Sequence, residues 1–106
     1  MSKEKIKKIT GSYDKLIISE LRDKKMAAKY LQFSLEEYEK DGDTKLFLHA
    51  LRYVAEAQGG IAKLAQKAKL NRESLYKTLS SRGNPKLQTI GVLLKALGFR
   101  LSVKPV

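Results

Sequence analysis

The stretch Gly60–Leu79, GIAKLAQKAKLNRESLYKTL, decides the fold. Ile61, Leu64, Ala65 and Ala68 fall on one face of a short helix, and Gly60 is an acceptable residue to open it. After Lys69-Leu70, Asn71 is a strong cap for a second helix running to about Ser80. Leu75 and Leu79 of that helix, with Leu70 of the turn, face inward, and Ala65 is small where the two helices must approach closely. The turn demands a left-handed residue at Lys69, where glycine is usual and lysine costs about 1 kcal/mol. The stretch therefore predicts a helix, a tight turn and a second helix.

Charge is concentrated around this pair. Residues 59–106 carry ten Lys and Arg against the single acid Glu73, so +9 of the net +11 lies in that half. A helical pair set in such a surplus is suited to meet phosphates. The 106 residues suffice for one domain with a real core. The apolar runs, such as Leu16–Ile18, are far too short to span a bilayer, and MSKEKIKKIT lacks the apolar stretch of a secretory signal. With no cysteine, disulfides, thiolate metal sites and cysteine nucleophiles are absent together, and a cytoplasmic location is expected. The lone histidine, His49, has no second ligand or base at a useful spacing and reads as an ordinary helix residue.

Working outward, residues 1–12 form a basic tail expected to be flexible. A helical extension follows over 13–42. Asp23 caps a helix to about Lys40, with Ala28, Leu31, Leu35 and Tyr38 on one face and Asp41-Gly42 at its end. The DNA-binding domain is placed at 43–98. Asp43 caps its first helix, whose buried stripe is Phe47, Ala50, Leu51 and Val54, and Gly59-Gly60 stops it. Beyond the central pair, Pro85 fits the first position of a last helix that buries Leu87, Ile90, Leu94 and Leu97 and stops at Gly98. In residues 99–106, Phe99, Leu101 and Val103 alternate with polar residues, which is strand periodicity. A lone strand leaves its backbone unpaired. It must pair with the weak segment Leu16–Ile18 or, preferably, with the same strand of a second copy, which makes a homodimer. The predicted architecture is thus all-α, a bundle of about five helices with a short C-terminal β-strand for dimerisation through Phe99, Leu101 and Val103.

In a helix-turn-helix the second helix enters the major groove of double-stranded DNA while the first crosses the backbone. Asn71, Arg72, Glu73, Tyr76 and Lys77 make the outward, base-reading face. Arg72 can give two hydrogen bonds to guanine, Glu73 can accept from cytosine or orient Arg72, and Tyr76 can meet a thymine methyl. Asn71 divides between capping and an adenine or phosphate contact. Lys63, Ser80, Arg82, Asn84, Lys86 and Thr89 cluster at helix starts and in the following loop, and are assigned to phosphates.

Several segments resemble the HigA-like addiction-module antidotes, antitoxins with an Xre/Cro-type helix-turn-helix. These are SYD at 12–14, AAKYL at 27–31, ALRYVAEAQG at 50–59, LAQKAKLNRESLYKTLS at 64–80, GNPKLQT at 83–89 and KALGFRLSV at 95–103. That family has glycine where Lys69 stands. The resemblance implies a λ-repressor-like helical domain, autorepression through operator DNA, and neutralisation of a RelE-like toxin by direct binding. The acids of the N-terminal third (Glu20, Asp23, Glu36, Glu37, Glu39) are the expected toxin-facing feature, such toxins being basic.

A stand-alone phage-type repressor without a toxin is the alternative. An RNA-binding or scaffolding protein is a more distant one, since the five Tyr and three Phe are scattered rather than gathered into a stacking platform. An enzyme is the weakest reading: no nucleophile–base pair or phosphate-cradling glycine loop appears, and neither cofactor nor metal is expected.

Overall fold

The structure, a computed structural model, describes residues 14–106. Among them are six helices: α1 (14–20), α2 (Lys24–Asp41), α3 (Lys45–Ala57), α4 (Ile61–Ala68), α5 (Arg72–Thr78) and α6 (Leu87–Ala96). The tail expected at 1–12 lies outside the described residues. None of these helices is long and apolar enough to cross a membrane.

The helix ends follow local chemistry. The Asp23 carboxylate accepts the Lys25 and Met26 N–H groups and opens α2, and the Gly42 N–H bonds back to the Tyr38 carbonyl to close it. Thr44, not Asp43, is the cap residue of α3; Asp43 lies one position further out, where its carboxylate accepts the Lys45 N–H at 2.9 Å. Gly98 ends α6 in a left-handed conformation (φ +90°), with the Phe99 N–H closing on the Leu94 carbonyl at 2.8 Å.

α3 is the centre of the core. Phe47, Leu48, Ala50, Leu51, Tyr53, Val54 and Ala55 are all buried. α2 lies against one side of it and α4 against another, and α4 also carries α5 and α6. Leu21, Ala27 and Leu31 join the same cluster as Leu75, Leu79 and Leu93, so one core unites the helices. Side chains lock the elements together. Gln58, at the end of α3, donates to the carbonyls of Leu21 and Arg22. Lys24 donates to the Leu97 carbonyl at the end of α6 and lies 5.2 Å from the Phe99 ring centre. A cation there meets the negative end of the helix dipole and a π face together.

Four further expectations need correction. The buried face of α2 is Ala27, Leu31 and Ser34, while Ala28 and Tyr38 are exposed. Ser34 escapes an apolar pattern because its hydroxyl donates to the Leu31 carbonyl at 2.7 Å and is satisfied inside the helix. α6 starts at Leu87, two residues after Pro85, because Lys86 is extended (ψ 156°), and Leu87 is 75 % exposed. Leu93 takes the core position instead. Leu70 remains partly exposed in its turn. Residues 99–106 form no strand. The segment Leu16–Ile18 that might have paired with them is helical, so the described chain offers the tail no free sheet edge. Phe99 packs against the core under Lys24 rather than outward, whereas Val103 is 98 % exposed.

Candidate DNA-binding face

The turn between α4 and α5 sets the geometry of the pair. Lys69 adopts the left-handed conformation (φ 56°, ψ 43°), the described residue other than glycine with positive φ. The Leu70 N–H bonds to the Ala65 carbonyl at 2.9 Å and the Lys69 N–H to the Gln66 carbonyl at 3.3 Å. This pattern satisfies two end carbonyls of α4 and redirects the chain within two residues. Asn71 is extended, and its side-chain oxygen accepts the Ser74 N–H at 3.0 Å, which opens α5. The left-handed Lys69 and the Asn71 cap are as the sequence predicts, whereas Leu70 is exposed rather than turned inward.

α5 has seven residues and buries only Leu75, followed by Leu79 just past its end. Asn71, Arg72, Glu73, Tyr76 and Lys77 are all exposed on its free side. Asn71, Arg72, Glu73 and Tyr76 border one shallow concavity. The Arg72 guanidinium lies 6.0 Å from the Tyr76 ring centre, so the two side chains brace one another over that surface. Tyr76 is 45 % exposed, which leaves its ring free to pack against a partner.

The residues assigned to phosphates divide. Lys63 on α4 is exposed, its stem running over Gly59. Ser80 is half-buried with its hydroxyl donating to the Lys77 carbonyl at 2.7 Å, and Arg82 and Lys86 are exposed. Asn84 borders an apolar groove, and Thr89 is half-buried on α6. Gly83 is required by close approach: a Cβ there would collide with the Thr78 carbonyl oxygen. The loop after α5 is thus pressed against the helix end and carries its basic residues on a fixed path.

A second surface lies away from α5. Leu35 and Tyr38 of α2, Phe47 of α3, Pro85, Leu87 and Leu101 line an apolar groove. At 100° per residue, Glu39 and Asp41 flank the Leu35–Tyr38 line on either side. Among the described residues the ion pair is Lys40 with Glu37 at 3.2 Å, so Glu39, Asp41 and Asp43 carry charge with no cation paired to it.

Sequence reasoning passed over the polar side of α3. There Tyr53 donates to the Asp14 carboxylate, and its ring meets that of His49 edge-on at 4.3 Å. Burial, then the Asp14 hydrogen bond, push the Tyr53 hydroxyl pKa well above its ordinary value. Burial, then the Arg52 charge, hold His49 below its ordinary value. The signal was available: Lys45, His49 and Arg52 recur at i, i+4 and i+7.

The described residues form an all-helical bundle in which α4, a tight left-handed turn and the short α5 follow one another. Residues 12–105 match the family described as probable addiction module antidote protein. The chain is also similar to an uncharacterized protein of Haemophilus influenzae, 35 % identical over 74 residues, which cover 70 % of this chain and 75 % of the relative. No solved structure gives a significant match. The chain belongs to the addiction module antidote family, and with that membership come an antitoxin role and a cognate toxin as partner.

Proposed function

We propose that this antidote is a HigA-like, Xre/Cro-type protein that binds operator DNA through α4 and α5 and represses its own operon. The observation that carries this reading is the construction of α5. One buried leucine docks it, and Arg72, Glu73, Tyr76 and Lys77 stand free in a half of the chain with nine surplus positive charges. Arg72 and Glu73, with Asn71, Tyr76 and Lys77, read bases. Lys63, Ser80, Arg82 and Lys86 hold phosphates, with Asn84 and Thr89 at the edge of that set. Two copies read two half-sites, joined through the exposed Leu101 and Val103 of their tails. A stand-alone repressor shares the DNA chemistry but leaves the antidote family membership without a purpose.

The test is a gel shift on the chain's own promoter. Affinity falls linearly in log salt with a slope of about 4–8 for a dimer. Arg72→Ala relaxes base preference at one position per half-site and costs about 1–3 kcal/mol there, while Lys86→Ala weakens all sequences alike. An Arg72→Ala protein with unchanged operator preference would sink the assignment of the reading face.

The toxin, by this reading a basic RelE-like protein, meets the acidic end of α2, where Glu39 and Asp41 flank the apolar groove. Deleting residues 1–42 is a poor test, because Ala27 and Leu31 belong to the core. The double reversal Glu39→Lys with Asp41→Lys keeps the core and weakens toxin capture at least about tenfold, more so at low salt. Calorimetry with the purified toxin decides it, and equal affinity for the variant places the toxin elsewhere.

A further inference from the structure

The polar side of α3 is not accounted for by the core, by the reading face or by the acidic end of α2. Lys45, His49 and Arg52 stand one above the other along the helix and, with Leu79, Ser80 and Ser81 at the far end of α5, line one pocket. No carboxylate lines it, and neither Lys45 nor Arg52 is ion-paired among the described residues. Arg52 is half-buried, with Nη2 3.4 Å from His49 Nδ1, so its guanidinium is held at the pocket rather than loose in solvent. The acid that acts on His49, Asp14, is engaged by the Tyr53 hydroxyl. Burial and Arg52 favour the neutral imidazole, which leaves Lys45 and Arg52 as the charges of the site.

One half-buried cation, Arg52, one exposed cation, Lys45, an imidazole and two hydroxyl-bearing residues around one pocket make a site for a tetrahedral oxyanion. Its position identifies the anion's source. Ser80 is shared with the loop that carries Arg82, so the pocket continues the phosphate-holding rim beyond the C-terminal end of α5. We propose that Lys45, His49 and Arg52 of α3, with Ser80 and Ser81, bind a backbone phosphate of DNA, so that the protein grips the duplex from α3 as well as from the helix-turn-helix pair. This inference rests on the proposed DNA binding and extends its footprint to a helix that otherwise only builds the core. Such a contact positions the protein without reading sequence.

The experiment measures fluorescence anisotropy of a labelled promoter duplex and of an unrelated duplex across a salt series. It uses wild type, Lys45→Gln, Lys45→Gln with Arg52→Gln, and Lys86→Ala. Lys45 is exposed, so the single variant keeps the test valid if the half-buried Arg52 proves necessary for folding. The expected result is about a tenfold loss on both duplexes for the double variant and a salt slope smaller by about 1–2, with base preference intact. Lys45→Gln alone gives a smaller loss of the same kind. Unchanged affinity and slope for both α3 variants, alongside a weakened Lys86→Ala, overturn the α3 contact while leaving DNA binding in place. A wild-type protein that binds neither duplex at low salt removes the DNA reading itself. Titration with inorganic phosphate alone, followed by the amide resonances of Ser80 and Ser81, separates the sources. Saturation only in the millimolar range fits a site completed by DNA, and saturation at micromolar phosphate overturns the backbone assignment in favour of a free phosphorylated ligand.

Discussion

α3 and α5 are both helices of the one core, yet they are held in opposite ways. α3 buries seven of its thirteen residues and touches both α2 and α4. α5 buries one of its seven, and its main packing neighbour is α4. An isolated helix of seven residues has no independent stability in water. α5 therefore exists because Leu75 and Leu79 fix it from below while the Lys69 turn and the Asn71 cap fix its start. The difference teaches how such a protein divides its labour. The scaffold helix commits most of its side chains to packing, and the display helix leaves most of its own exposed.

The strongest way to break this comparison is to remove one buried leucine from each helix. Leu51→Ala and Leu75→Ala each cost about 2–5 kcal/mol, because both side chains are 1 % exposed and each leaves a cavity. Their spatial effects differ. Hydrogen exchange should show Leu51→Ala lowering protection throughout α2, α3 and α4 together. Leu75→Ala should strip protection from α5 first while α3 remains protected, with operator affinity lost in step. Equal loss of protection in α3 and α5 for Leu75→Ala would mean that α5 is no separately opening unit.

The same division explains what was legible in the sequence. Caps and stops were readable at Asp23, Gly42, Asn71 and Gly98 because their chemistry is local: a side-chain oxygen next to free N–H groups, or a backbone that must turn left-handed. The stripe of α3 was readable because a helix packed on two sides shows its period plainly. The face of α2 was misread because Ser34 hides its polarity in a bond to its own helix. The tail was misread because alternation makes a strand only where a partner edge exists, and pairing is not a local property. Leu16–Ile18 stayed a second candidate partner for the tail because a run that short has no period that separates strand from helix. The outward face of α5, proposed to read bases, was legible as a pattern of exposed residues. The row Lys45, His49 and Arg52 was legible as helical spacing, but the pocket was not, since it forms only when the end of α5 lies beside Lys45 and Arg52.

A finer test concerns the residue that joins scaffold to display. Lys69 holds the left-handed turn at a cost of about 1–2 kcal/mol relative to an unstrained residue. It persists because the Leu70–Ala65 and Lys69–Gln66 hydrogen bonds and the cap at Asn71 over-determine the turn. Lys69→Gly removes that strain, but glycine also gains freedom in the unfolded chain, which offsets part of the benefit. The net expectation is a stabilisation of about 0.5–1 kcal/mol, read as a melting temperature raised by roughly 2–8 °C. Lys69→Val should move it the other way, since a β-branched side chain tolerates this conformation least. If glycine leaves the melting temperature unchanged and valine does too, the turn relaxes in solution, and the start of α5 is held by Asn71 and Leu75 alone.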